Sequence, residues 1–328
     1  NLGVRVSNLE RNADMVKWNG KLEYTYTSKR FENADKKNDD HLMFRLEPSA
    51  EVNSHWHVNA RVEASTNMKH DAAHDDDSDD KVTLKRAWAQ GDYDKFQVKL
   101  GKMGLFSAEA YAAPGALVFD DDDKTFSGAE VTFGKDLQVK LQAGQTELAD
   151  TFKSDADDRR SYDHAANYQG VELQYNKGNF LAGAAYYRLK TDEFKGTLKE
   201  ANDETMDIWA LNGGYRFDKN VLLSGAYAYN NSFADSKKSG QVSLDYKGAE
   251  SEDKGSWGAY VSYRHLGGAS VLATQDGALY GTKGIELGTN YTLFKNVILS
   301  AKYFNGKTIQ KQADDKVQQL FGRVEFLF

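Results

Sequence analysis

The sequence predicts an all-β fold: a transmembrane antiparallel β-barrel of about 16 strands, preceded by a short coiled-coil helix. Three observations lead to this prediction. Apolar and polar residues alternate in segment after segment from Trp18 onward, and a period of two is typical of β-strands. The connections between these segments are alternately short and long. The chain ends in VQQLFGRVEFLF, an alternating strand whose last residue is Phe328.

The first 16 residues follow a different period. Apolar residues recur there at intervals of four and three, as in the a/d seam of a coiled coil: Leu2, Val6, Leu9, Ala13 and Val16. Two heptads are too short to form a stable helix alone. We therefore interpret residues 1–16 as the end of a longer coiled-coil stalk and residues 17–328 as the barrel. The alternative is a single amphipathic helix that plugs the barrel.

The strand segments have one apolar and one polar face. WHVNARVEAS (56–65), HLMFRLE (41–47) and LQVKLQAG (137–144) all carry charged or amide residues on the polar face. A β-sandwich would bury one face of each sheet against a second sheet. Many such strands in succession instead fit a barrel with lipid outside and water inside. The mean hydropathy of −0.69 does not argue against this, because alternating strands average to neutral values.

The connections form two sets. The short ones, such as NKGN (176–179) and FDKN (217–220), have the composition of tight turns and are expected at one rim. The long ones are polar, as in SKRFENADKKNDD, and are expected at the other rim. The polar stretch from ADSKKSG to AESEDKG is assigned to the second set. The resulting count of about 16 strands includes one over residues 269–275.

The composition argues against several functional classes. The chain has 42 Lys and Arg against 49 Asp and Glu, a formal net charge of −7, which argues against a nucleic-acid partner. There is no Cys, so disulfides, thiolate metal sites and Cys nucleophiles are excluded. The seven His residues lie mostly in predicted loops or turns, and no nucleophile motif accompanies them. We predict that the protein is not an enzyme; a hydrolase embedded in the barrel is the least favoured alternative.

The ending GRVEFLF resembles the last strand of bacterial outer-membrane barrel proteins, which finish on an aromatic residue. In such a barrel Phe326 and Phe328 belong to the strand that closes against the first one. Residues 18–328 as a whole resemble a general porin. The junction RVSNLERNADMVKWNGKLEYTYTS is similar to that of the OmpM-type tethering porins of diderm Firmicutes, in which a periplasmic coiled coil leads into a trimeric 16-stranded barrel.

This resemblance implies a place in the bacterial outer membrane, in contact with the lipid bilayer and lipopolysaccharide. It implies a homotrimer and the passive diffusion of small hydrophilic solutes and ions through a water-filled channel. It also implies that a longer precursor binds peptidoglycan or another cell-wall polymer through an N-terminal domain. The alternative is a mainly structural anchor with a plugged barrel. Outward-facing small or aromatic residues agree with a trimer: Ala182, Ala184 and Trp257.

The segment GKMGLFSAEAYAAPGALVFDDDDKTFSG (101–128) is too long and too apolar for an ordinary surface loop. It is the third long loop, and porins fold their third loop into the lumen. The resemblance therefore implies that its polar residues line a pore constriction: Glu109, Tyr111, Asp120, Asp121, Asp122 and Asp123. The alternative is an external loop packed at a subunit interface.

Alternation places a set of basic side chains toward the lumen: Arg45, Arg61, Lys85, Lys99, Lys140, Arg264 and Arg323. Four carboxylates share that face: Glu47, Glu63, Glu130 and Glu172. The resemblance implies a basic wall opposite the acidic loop, with a transverse field that orients dipolar solutes. Arg86 conflicts with this pattern, because alternation groups it with the apolar residues Leu84 and Trp88. A bulge or a subunit interface would explain it.

Two acidic runs suggest calcium, HDDDSDD (74–80) and FDDDD (119–123). Carboxylates are hard oxygen ligands that suit this ion, and the candidate ligands are Asp75, Asp77 and Asp79. Neither run has the ordered spacing of an EF-hand. The favoured interpretation is a solvated charge run, or divalent cations that bridge the loops to anionic lipid headgroups, without any dedicated cofactor.

Overall fold

The computed structural model describes residues 2–68, 81–105, 114–119, 124–147, 165–268, 270, 275–310 and 315–328. A helix, α1 (Leu2–Asp14), precedes sixteen strands in this part of the chain. The strands are β1 (Val16–Phe31), β2 (Lys37–Glu51), β3 (Trp56–Thr66), β4 (Thr83–Asp92), β5 (Phe96–Gly104), β6 (Thr125–Gly134), β7 (Leu137–Glu147), β8 (Ala165–Lys177), β9 (Phe180–Lys190), β10 (Thr205–Arg216), β11 (Val221–Asn230), β12 (Lys238–Lys247), β13 (Trp257–Leu266), β14 (Thr282–Phe294), β15 (Val297–Thr308) and β16 (Lys316–Leu327).

The strands form one closed antiparallel barrel in which each pairs with its neighbours in sequence. This confirms the predicted fold class. Closure joins β1 to β16, with Leu22 opposite Phe326. The backbone of Phe328 exchanges two hydrogen bonds with Gly20, at 2.8 and 3.0 Å, and its ring stacks on Phe44. The last strand is therefore held to its final residue, and the sheet has no unpaired edge.

Strand β8 shows why a period of two produces this barrel. Ala166, Tyr168, Gly170 and Glu172 are buried in the barrel, whereas the residues between them are exposed on its outer surface. Along the other strands too, large apolar side chains such as Leu100 and Leu211 are exposed on the outside. No helix among the described residues is long and apolar enough to span a membrane.

The N-terminal helix is shorter than the heptad pattern predicted. It ends at Asp14, and Val16 is already in β1, where it lies opposite Ala50. Assigning Val16 to a coiled-coil seam was therefore wrong, because ladder pairing with β2 extends the strand to this residue. Leu2, Val6 and Leu9 lie on the helix and are exposed. The side chain of Ala13 lies outside the described residues.

Two assignments of loops and strands need correction. Of the predicted strand over 269–275, residues 269 and 271–274 lie outside the described residues; the described strands close the barrel without it, since β13 pairs directly with β14 and Ser270 lies in a turn. The stretch from ADSKKSG to AESEDKG is not one long loop, because it contains β12. Its second polar part, residues 248–256, connects β12 to β13 and lies at the rim of the short turns.

Candidate pore constriction

The third long loop, between β5 and β6, folds into the barrel. In its described part, Leu117, Val118 and Phe119 are buried. The ring of Phe119 packs edge-on against Tyr168 and Tyr187, with centroids 5.8 and 4.9 Å apart. Those tyrosines point inward from β8 and β9, so this part of the loop lies against the inner wall. Burial of its apolar side chains against the wall explains why so apolar a segment does not remain in water.

A second loop also enters the barrel, between β13 and β14. Its backbone is fixed at two points by the inner wall. Gln319 donates hydrogen bonds to the backbone oxygens of Asp276 and Gly277, at 2.8 and 2.7 Å. The backbone nitrogen of Ala278 donates to Glu286 Oε1 at 2.7 Å. Residues 275–281, which we call the β13–β14 loop, therefore occupy the lumen.

The sequence contains a feature from which this loop could have been predicted, a cluster of glycines. The segment HLGGASVLATQDGALYGTKG contains five glycines, Gly267, Gly268, Gly277, Gly281 and Gly284, and clustered glycines indicate turns and close approaches rather than a strand. A Cβ atom at Gly277 would lie 2.1 Å from Glu286 Oε1. Only glycine permits the approach of this loop to β14.

The two inward loops meet each other. Gln275 Nε2 donates to the backbone oxygen of Ala116 at 3.1 Å, and Gln241 Nε2 donates to that of Gly115 at 2.7 Å. Arg264 Nη2 donates to Gln275 Oε1 at 2.5 Å. Carbonyl groups buried in the barrel are thus paired with amide side chains from the wall and from the second loop.

Arg264 anchors this junction. It forms an ion pair with Glu286 at 3.1 Å, and both side chains are almost inaccessible, with 1% and 0% of their surface exposed. Arg264 Nε donates to Gln241, and the hydroxyl of Tyr260 donates to Glu286. The sequence predicted Arg264 as a lumen-facing charge. It does point inward, but the loops cover it, so its charge is neutralised within the wall.

The basic wall begins with arginines on β2 and β3. Arg45 Nε pairs with Glu63 at 2.9 Å, and Arg61 Nη2 pairs with Glu47 at 3.1 Å. Two further guanidinium nitrogens of Arg61, Nε and Nη1, have no hydrogen-bond partner among the described residues. Arg61 therefore keeps hydrogen-bond donors that Glu47 does not use.

A bulge resolves the conflict over Arg86. Arg61 lies opposite Arg86, but the next residue of β3, Val62, lies opposite Leu84. Lys85 is the extra residue between the two pairs, and Arg86 shares the inward face of Arg61, with 5% of its surface exposed. The bulge shifts the alternation by one residue, so Arg86 joins the lumen-facing row. The lumen-facing place of Lys85 stays a prediction.

The remaining predicted basic residues also have carboxylate partners. Lys99 lies 3.8 Å from Glu130, and Lys140 lies 3.3 Å from Glu172. Both carboxylates are deeply buried in the wall, and the hydroxyl of Tyr187 donates to Glu172. These lysines bring no unbalanced charge to the interior.

Arg323 belongs to a cluster that the sequence analysis found only in part. Its Nε lies 3.2 Å from Glu23, and its Nη1 lies 3.5 Å from Asp276 on the β13–β14 loop. Lys302 approaches the same Asp276 oxygen to 3.3 Å. Both cations lie over the ring of Phe321. Lys302 was detectable from the alternation of VILSAKY, whereas no local pattern marked Asp276, which follows the segment predicted as a strand.

This cluster borders an open cavity of about 280 Å³ inside the barrel. Pro114 of the third loop lies on one side, and the wall supplies Tyr260, Lys302 and Arg323. The lining combines charged, hydroxyl and amide groups with two aromatic rings. Such a space can hold water and small polar solutes.

The predicted acidic residues of the constriction lie outside the described residues: Glu109, Tyr111, Asp120, Asp121, Asp122 and Asp123. The candidate calcium ligands Asp75, Asp77 and Asp79 also lie outside them. Within the described ranges, no group of three or more His, Asp or Glu side chains is arranged to hold a metal ion.

The sequence matches no protein-family model and no curated protein. Solved structures, in contrast, resemble the barrel over nearly its whole length. Pseudomonas putida OprB at high pH superposes with a TM-score of 0.69, at 11% identity, over 98% of this chain and 96% of that one. Salmonella typhi OmpF in complex with daunomycin gives 0.63, at 15% identity, over 95% and 97%.

A mutant of the Rh. blastica porin gives a TM-score of 0.55, at 13% identity, over 96% of this chain and 100% of that one. The chain has the porin fold. The likeness covers the closed barrel of 16 strands that porins share. At these identities it shows the fold alone, so the function has to be argued from the lumen.

Proposed function

We propose that the protein is an outer-membrane porin, through which small hydrophilic solutes and ions diffuse passively. The observation that carries this proposal is the polar inner wall of a closed barrel, which carries charged pairs such as Arg45–Glu63 and Lys140–Glu172. Lys302 and Arg323 of the same wall line an interior cavity. A charged, wet lumen serves the passage of polar solutes.

The outer surface supports a place in the bacterial outer membrane. A band of exposed apolar side chains surrounds the barrel, and large aromatic residues such as Trp18, Trp257 and Phe294 lie toward the rim of the short turns. Outer-membrane barrels have such girdles at the two interfaces, with short periplasmic turns and longer outer loops. We therefore expect lipid and lipopolysaccharide to cover this band.

We further propose that the wall from β2 to β4 favours anions. Arg45, Arg61 and Arg86 share its inward face with Glu47 and Glu63, and Arg61 Nε and Nη1 have no hydrogen-bond partner among the described residues. The exposed part of Glu47 keeps this cluster in reach of water. Opposite an acidic third loop, it would create the transverse field predicted from the sequence. Asp120 to Asp123 remain the predicted acidic side of that field.

The assembly is proposed to be a homotrimer with a coiled-coil stalk. The exposed fractions of Leu2 and Leu9 on α1 are 77% and 68%. In a single monomer this apolar seam of the helix faces water. Parallel copies of the helix would bury it. Ala182, Ala184 and Trp257 remain candidate contacts between barrels. In the full-length form, an N-terminal domain is proposed to bind peptidoglycan and to tether the outer membrane.

A structural anchor with a plugged barrel is the alternative, and one observation favours it. The third loop and the β13–β14 loop both enter the lumen, and Gln275 joins them by its bond to Ala116. Such a junction narrows the interior more than one loop would. The two functions differ in whether solutes pass.

Liposome swelling separates them. Purified protein is reconstituted into liposomes, which are diluted into isotonic solutions of arabinose, glucose, sucrose and raffinose. A porin predicts swelling rates that fall steeply with sugar size. Liposomes containing the same amount of heat-unfolded protein provide the control. Rates equal to this control for every sugar would contradict the porin and favour the anchor.

A further inference from the structure

We propose that the β13–β14 loop is a second constriction element of the channel and that Asp276 on it determines charge selectivity. This inference rests on the proposed function, because it assigns a role within the same lumen. Its basis is the position of one carboxylate between two wall cations at the edge of an open cavity.

The loop is fixed tightly enough to act as a constriction. Two hydrogen bonds from Gln319 hold the backbone of Asp276 and Gly277. The bond from Ala278 to Glu286 and the close approach of Gly277 hold the following turn. Every one of these partners is on the inner wall, so the loop cannot leave the lumen without exposing buried polar groups.

The loop also shares the constriction with the third loop. Gln275 donates to Ala116 while it accepts from Arg264. Through this single side chain the wall, the second loop and the third loop are connected. A solute that passes the third loop at Pro114 enters the cavity that Lys302 and Arg323 line.

Asp276 decides the charge of this passage. Its carboxylate lies 3.3 Å from Lys302 and 3.5 Å from Arg323, and 30% of its side chain is exposed. It is therefore both a partner of the cations and accessible to solutes. Glu23 offsets part of the positive charge on the other side of Arg323. Without Asp276, the two cations over Phe321 would present a site that attracts carboxylates and other small anions.

The test replaces Asp276 by Asn, which removes the charge and preserves the volume. Reversal potentials are measured in planar bilayers across a gradient of KCl near 0.1 M. We expect the chloride-to-potassium permeability ratio to rise about two- to fivefold, the effect of one unit charge about 4 Å from the ion path in a largely aqueous lumen. Asp253→Asn, in the exposed turn between β12 and β13, is the matched control and should leave the ratio unchanged.

A second variant covers the case in which Asp276→Asn fails to fold. Lys302→Met removes one of the two cations and should lower the same ratio. Sodium acetate in place of KCl then tests the carboxylate preference, which Asp276→Asn should strengthen. If the wild-type channel conducts and both variants have its chloride-to-potassium permeability ratio, the role of Asp276 is overturned. Absence of conductance in the wild type would instead overturn the proposed porin function.

Discussion

Gln275 donates a hydrogen bond to the backbone oxygen of Ala116, 159 positions earlier in the chain, and so joins the two loops that fold into the barrel. Arg264 donates to the same glutamine from the wall. The interior is therefore organised around a buried polar junction between two loops. Its members are satisfied by one another, which is the condition under which buried polar networks make a structure rigid.

The ion pair beneath this junction should be important for stability. Replacing Arg264 by Met leaves Glu286 charged and buried without its cation, which costs about 3–5 kcal/mol in the free energy of unfolding. Heat-induced unfolding in detergent, followed by the mobility shift of the barrel on gels, measures the effect. Lys177→Met is the matched control, because its pair with Asp136 at 2.9 Å is largely exposed. That variant should lose about 1 kcal/mol or less. Equal losses in the two variants would contradict the assigned role of Arg264.

Gly277 should tolerate no side chain. An added Cβ would lie 2.1 Å from Glu286 Oε1, so Gly277→Ala must displace the loop or the carboxylate. We expect a lower unfolding temperature and, in bilayers, noisier current, since the displaced loop loses its bond to the third loop. Gly248→Ala, where a Cβ atom meets no atom within 4 Å, provides the control. A variant at Gly277 that matches the wild type in both assays would contradict the fixed position of the loop.

Arg86 and Lys85 form a natural pair for testing the bulge. Arg86 shares the inward face of Arg61, whereas Lys85 is the extra residue between two register pairs. Arg86→Gln should therefore lower the chloride-to-potassium permeability ratio by about twofold, the effect of one charge that is partly screened in the lumen. Lys85→Gln should change it much less. A larger effect of Lys85→Gln than of Arg86→Gln would contradict the bulge and favour uninterrupted alternation along β4.

Much of the fold was predictable because the signal for a barrel is local and repeated. Alternation in segments such as WHVNARVEAS places each strand and its faces, and the difference between short turns and long loops gives the topology. Closure followed from the alternation that continues to Phe328. These properties depend on neighbours in sequence, which a single chain displays directly.

The details of the site were less accessible, for two physical reasons. A bulge inserts one residue without a strong mark in the sequence, so alternation grouped Arg86 with the apolar residues Leu84 and Trp88. The contacts of the β13–β14 loop join residues far apart in the chain, as Asp276 joins Lys302 and Arg323. No local period encodes such pairs. Residues 269–275, just before Asp276, were apolar enough to be predicted as a strand.

Current through single molecules in a planar bilayer tests the central claim most directly. Folded protein is extracted in detergent, checked for its intact barrel on gels, and added to the bilayer in symmetric salt. We predict large, stable openings that close in three equal steps, one for each barrel of a trimer. Well-folded protein that inserts into the bilayer but carries no current would contradict the channel, and the barrel would then be an anchor closed by its two inward loops.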